Sequence, residues 1–170
     1  MEGAAMTDWD TLTAVWAGRR MRFVPAEQAM EFPAPRYVVV LISDGAGRYL
    51  LANIRGRGYC APSGRIEAGE TPEAAARREA YEEAGAILGQ VEQMGMYLLS
   101  PCSAEQATPC SAPVFLALAE RIEPLRTDSE SLGVLWASLS ELPALYYDWS
   151  PLIEAVFRYA EERRQVAGQR

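Results

Sequence analysis

The sequence predicts an α/β fold in which a mixed sheet lies between helices. Three observations carry this. Tyr37–Ser43 (YVVVLIS) is continuously apolar and β-branched, the pattern of a strand buried on both faces. Only two segments, opening at Thr71-Pro72 and Ser150-Pro151, have the caps and length of substantial helices. Strands and helices alternate irregularly around them, whereas a doubly wound parallel sheet needs regular βαβ repetition.

Taken in chain order, residues 1–10 read as a loose tail. Residues 11–24 read as a hairpin, TLTAVW and RRMRFV about a turn at Ala17-Gly18. Pro25, Pro33 and Pro35 break the stretch that follows. After the buried strand, Asp44-Gly45-Ala46-Gly47 makes a turn and Arg48–Ile54 a second strand. A Gly- and Arg-rich loop, RGRGYCAPSGRIEAGE, leads into a helix. Thr71 is its N-cap, Pro72 its first residue, and Gly85 stops it after about Ala84. Further strands are expected near 93–99, 113–119 and 134–137, and a final amphipathic helix from Pro151 to about Arg164. At 170 residues, with no internal repeat or low-complexity segment, the chain reads as one domain over 1–170.

Composition removes several classes of function. Hydrophobic residues make up 49%, enough for a packed core, and no apolar run approaches a membrane span of about 20 residues. The net charge of −7 argues against non-specific nucleic-acid binding, which needs a basic face. The acidic N-terminus has no signal-peptide pattern, so a cytoplasmic location is expected. There is no His, hence no Ser–His triad and no imidazole metal ligand. Every basic residue is Arg, which excludes Schiff-base and P-loop lysines. Cys60, Cys102 and Cys110 form no metal-binding spacing and read as reduced thiols. Chemistry is left to carboxylates, Arg and hydroxyls.

Those groups concentrate in residues 64–86, GRIEAGETPEAAARREAYEEAGA. On a helix, Glu79, Glu82 and Glu83 fall within roughly a 100° arc of one face. Three carboxylates so close repel one another, and a hard divalent cation with its preference for oxygen is the natural counter-charge. Arg78 precedes Glu82 by one turn and can orient the cluster, with Glu70 supporting it from the loop. A Glu/Arg helix is more commonly a solvated face. The complete spacing outweighs that: Gly64, Glu70, Arg78, Glu79, Glu82, Glu83 and Gly85 match the Nudix box at every fixed position. At residue frequencies of about one in fifteen, chance agreement is on the order of 10⁻⁸ per start position.

The chain therefore resembles the Nudix hydrolase family. Ala80, Ala86 and Ser63 differ from common family choices without removing a charge. The resemblance implies a Nudix-type α/β/α sandwich with a mixed central sheet. It also implies hydrolysis of a pyrophosphate bond in a nucleoside diphosphate derivative by a metal-activated water. Mg²⁺ is the expected cofactor, with Mn²⁺ as a substitute. Carried over by position, Glu79, Glu82, Glu83 and the Ser63 carbonyl would hold the metal, Arg78 would orient Glu79, and Gly64, Glu70 and Gly85 would support the box.

The substrate signal is weaker. Ser100, Pro101 and Glu105 resemble a stretch of ADP-ribose enzymes, although Cys102 replaces a Gly there and Cys60 stands where many carry a Glu. Glu130, in the acidic stretch RTDSESLG, is the candidate general base. Arg55, Arg57 and Tyr59 precede the box on a Gly-flexed loop suited to phosphate contact and base stacking. ADP-ribose leads; nucleoside triphosphates, including oxidised ones, and a non-catalytic nucleotide sensor are the alternatives. Trp9 and Trp16 leave two roles open, a homodimer interface or a stack beneath a base.

Overall fold

The computed structural model of the chain describes residues 6–28, 30–101 and 108–169. A 3-10 helix, Trp9–Thr11, is followed by the strands β1 (Ala14–Trp16), β2 (Arg19–Pro25), β3 (Tyr37–Ser43), β4 (Arg48–Ile54), β5 (Gly58–Cys60) and β6 (Ser63–Arg65). Helix α1 (Pro72–Ala84) precedes β7 (Ala86–Pro101), β8 (Cys110–Ile122) and β9 (Ser131–Ser138). The short α2 (Leu142–Leu145) and the long α3 (Pro151–Ala167) close the chain.

The sheet runs β1-β2-β7-β8-β3-β4-β5, with β6 also paired to β3 and β9 to β4. It is mixed as expected: β3 runs parallel to β8, and the other strand pairs are antiparallel. The alternation along β3 explains its unbroken apolar run. Val39 and Leu41 join one core with Tyr49, Leu51 and the buried face of α3. Val38, Val40 and Ile42 join a second core with Leu50 and the alanines of α1. Each helix covers one face of the sheet, which is the α/β/α sandwich.

Helix α1 has the bounds its caps predict. The Thr71 side chain accepts from the Ala74 N–H, and Gly85 stands in the left-handed region at φ 64°. Helix α3 is capped the same way by Ser150 and runs one turn beyond the expected end. Three expectations are corrected. The N-terminal hairpin is shorter than 11–24, because Trp9–Thr11 turns into a 3-10 helix. Its Trp9 ring packs on Phe23 and Tyr159, centroids 4.8 and 5.7 Å away, so the later part of the supposed tail belongs to the body of the domain. The strands expected at 93–99 and 113–119 lie within the much longer β7 and β8, which pair with each other along most of their length.

Candidate active site

The loop before α1 is where the site is built. Its residues Ser63–Arg65 form β6 against Tyr37–Val39 of the central strand, which fixes the Ser63 and Gly64 backbone beside α1. The Ser63 N–H donates to Glu83 Oε2 at 3.0 Å. A Cβ at residue 64 would land inside the Glu79 carboxylate, so only glycine lets strand and helix approach this closely. Gly85 meets a similar limit at the other end of the helix, against the Glu123 backbone.

Arg78 ties the cluster together. Its Nε and Nη2 donate to the two Glu70 oxygens at 2.9 and 3.1 Å, and Nη1 donates to Glu79 at 2.7 Å and Glu82 at 3.2 Å. Nη2 also reaches the Arg65 carbonyl at 2.8 Å, joining helix to β6. This planar fork makes five hydrogen bonds, whereas an ammonium group has only three donors. The Arg78 guanidinium holds Glu70 below its ordinary range. Glu79 and Glu83 are pushed the other way. Burial raises both, and Glu83 reaches about 7 because its desolvation outweighs the Ser63 N–H, with the Glu79 charge adding to the rise.

Glu79, Glu82 and Glu83 share a cavity of about 310 Å³ with Arg126, Asp128, Ser129 and Glu130. The loop carrying Glu130 is pinned in place: the Ser129 hydroxyl donates to the Glu82 carbonyl at 2.8 Å, and the Arg55 N–H to the Glu130 carbonyl at 3.0 Å. The candidate base predicted 47 residues beyond Glu83 thus faces the same space as the box. Among the described residues, no three Asp, Glu, Cys or His side chains are already drawn into a metal-binding cluster. The carboxylates instead turn to Arg78 and the Ser63 N–H.

A second, smaller cavity has Ser63 on its wall, the residue whose N–H bonds Glu83 of the first. Arg57 lies on its wall with Trp16, Cys60, Tyr97, Tyr146, Tyr147 and Asp148. Of the four residues expected to bind substrate, Arg57 alone lines either cavity. The Tyr59 ring is half-buried against the main core, where β5 pairs with β4. Pro101 ends β7 opposite Arg19, while Cys102 and Glu105 lie outside the described residues. Trp16 reaches the small cavity and packs against Tyr37, its ring centroid 5.4 Å away. Tyr146, Tyr147 and Asp148 were not singled out by sequence. Their signal was a lone acid among aromatics, YYDW, just before the Ser150 cap.

The NUDIX domain family model matches residues 33–158. The chain belongs to the Nudix family. Other likenesses agree with this. A Bacillus subtilis (strain 168) protein provisionally named 8-oxo-dGTP diphosphatase YtkD is 39% identical over 64 residues, covering 38% of this Nudix chain and 40% of that protein. The chain thus spans two fifths of that relative's length. The crystal structure of a variant of the Bacillus subtilis pyrophosphohydrolase BsRppH superposes with a TM-score of 0.70 at 23% identity, over 88% of this chain and 92% of the other. A Nudix hydrolase from Nitrosomonas europaea gives 0.56 at 24% identity, over 80% and 91%. At these identities the two structures speak for the fold. Among the described residues no helix is long and apolar enough to cross a membrane.

Proposed function

We propose that this Nudix protein is a divalent-metal-dependent pyrophosphohydrolase of a nucleoside diphosphate linked to a further group. The observation that carries the reading is the single cavity shared by Glu79, Glu82, Glu83 and Glu130, with two of these carboxylates buried on the helix. Buried like charges are costly unless a cation offsets them. An all-oxygen donor set of this kind suits a hard ion, Mg²⁺ first and Mn²⁺ as substitute. Glu79, Glu82, Glu83 and the Ser63 carbonyl would hold it. Such an ion neutralises pyrophosphate charge and acidifies a water nucleophile.

The remaining work falls to the chain. Arg78 fixes the rotamers of Glu79 and Glu82, and Glu70 fixes Arg78. Glu130 faces the carboxylates across the cavity and takes the proton of the attacking water as general base. Arg57, on the wall of the smaller cavity, clamps a phosphate, and Arg55 and Tyr59 lie on the same flexed loop. Action on a small nucleotide rather than on a nucleic acid accords with the charge of −7.

For the substrate, Ser100 and Pro101 favour ADP-ribose. A nucleoside triphosphate is the second reading, favoured by the likeness to YtkD over 64 residues. A panel of nucleotides with Mg²⁺ or Mn²⁺, with products identified by chromatography, tests both. ADP-ribose cleaved to AMP and ribose 5-phosphate, at least tenfold above dGTP and 8-oxo-dGTP in kcat/KM, supports the first reading; this is about 1.4 kcal/mol of differential transition-state binding. The reverse order supports the second. Turnover that persists in excess EDTA, or no turnover of any nucleotide, overturns the enzyme proposal and, in the latter case, leaves a nucleotide sensor.

A further inference from the structure

The small cavity beside Ser63 contains a group the proposed hydrolysis does not use. Among the described residues, Asp148 Oδ1 is the one buried side-chain nitrogen or oxygen without a hydrogen-bond partner. An orphaned buried carboxylate oxygen costs stability, and such a cost persists only where something offsets it. The surrounding chain holds Asp148 firmly. The Tyr147 N–H donates to the Tyr59 carbonyl at 2.9 Å, and the Tyr146 hydroxyl accepts from the Ala61 N–H at 3.2 Å. A Cβ at Gly58 would stand 2.9 Å from Tyr147 Cβ, so β5 passes this segment as closely as glycine allows. Ser150 then starts α3 two residues later.

The surroundings indicate what the oxygen is for. The cavity encloses about 30 Å³, the space of one water or one amino group. Trp16, Tyr97, Tyr146 and Tyr147 line it, and Ser63 on its wall donates its N–H to Glu83, which lines the carboxylate cavity. A planar ring can stack on these aromatics while one small donor enters the floor. Its phosphates then lie toward Arg57 and the Ser63–Glu83 contact.

We propose that Asp148 is the specificity-determining acceptor for the substrate's base, taking a hydrogen bond from an exocyclic amino group. This rests on the nucleotide reading above and deepens it. Adenine and guanine both carry such a group, and hypoxanthine carries none. A site built to accept one N–H discriminates against the analogue lacking it, because the buried acceptor is again left unpaired.

Calorimetric titration of the whole protein with AMP, GMP and IMP reads binding without turnover. At least one of AMP and GMP is expected to bind tenfold or more tightly than IMP. Preference for AMP names adenine as the source of the amino group and agrees with ADP-ribose; preference for GMP names guanine. Asp148→Leu, of similar volume, is expected to bring all three within threefold while its melting temperature stays the same or rises. Should Asp148→Leu fail to fold, Asp148→Asn takes its place and must narrow the preference at least threefold. IMP binding as tightly as the other two in the unaltered protein overturns the proposal and leaves the hydrolase reading standing. So does a preference that survives in the Asp148 variant, or a well-folded Asp148→Leu that is destabilised but keeps the preference, the result expected if Asp148 only holds a buried water. If none of the three nucleotides binds, this proposal falls, while the hydrolase reading is decided by the turnover panel above.

Discussion

Helix α3 buries Leu152, Ile153, Val156, Phe157 and Ala160 against one face of the sheet, whereas α1 buries Ala75, Ala76, Ala80 and Ala84 against the other. Their charges differ as much as their apolar sides. On α3, Glu161 is paired with Arg164 and accepts from the Tyr49 hydroxyl, while Arg163 pairs with Glu27 and Glu92. On α1, Glu79 and Glu83 are themselves buried, each 8% exposed. Large side chains hold α3 at a distance and contribute the stabilisation of about 1.5–3 kcal/mol each that burial brings. Alanines bring little of that, but they let α1 lie close enough to press its carboxylates against Ser63 and Gly64. One helix is an anchor. The other gives up stability to hold charge in place.

The largest test of this contrast removes the anchor. Phe157→Ala should lower unfolding free energy by about 3–5 kcal/mol in a denaturant titration. A cost below about 1 kcal/mol would mean that α3 is not held by its apolar face. Next, Glu83→Gln should reduce kcat at least 10²-fold, about 2.7 kcal/mol of barrier, with a denaturation midpoint unchanged or higher. The amide can still accept from the Ser63 N–H, so loss of fold is not the expected cause. Near-normal turnover would remove Glu83 from the site. Ala80→Leu forces a large side chain into the close α1 contact and should cost about 1–3 kcal/mol. It should also lower activity by moving Glu79 and Glu83 off the β6 backbone; full activity in that variant would show that the close approach is incidental.

The smallest effect has opposite signs on the two helices. Burial lifts Glu83 from 4.5 to about 7, so the metal-free native state binds the extra proton and stability falls as pH rises from about 4.5 through 7. Arg164 and Tyr49 hold Glu161 below 4.5, so its contribution is present above that pH and is lost as pH falls through the lowered value. Melting curves against pH in EDTA should therefore flatten near neutrality in Glu83→Gln and on the acid side in Glu161→Gln. Identical curves for all three proteins would sink both assignments.

How much could be read in advance follows from how local each signal is. Thr71, Pro72 and Gly85 act within one turn of the helix they bound, and α1 appears with the expected limits. The box residues converge because a single helix and its preceding loop carry them. By contrast, β5 and β6 lie in a Gly- and Arg-rich stretch that reads as loop; they are strands because β4 and β3 offer partners. The same holds for the ends of β7 and β8, whose length depends on their mutual pairing. Asp148 was illegible for a related reason. Its importance lies in the absence of a partner, and a partner can be missing only once 16, 57, 60 and 97 have been brought around it.

The pairing of β3 with β8 also bears on how the molecule is made. Val39 lies opposite Val114, and no local turn can bring them together. Closing so long a loop costs entropy before any contact rewards it, and such topologies fold slowly. Helix α1, capped from within, can flicker into existence early. Ser63 can meet Glu83 only after β6 has settled on an already seated β3. During refolding, far-ultraviolet ellipticity should therefore return ahead of the proposed metal affinity, because the Ser63–Glu83 contact waits on the sheet.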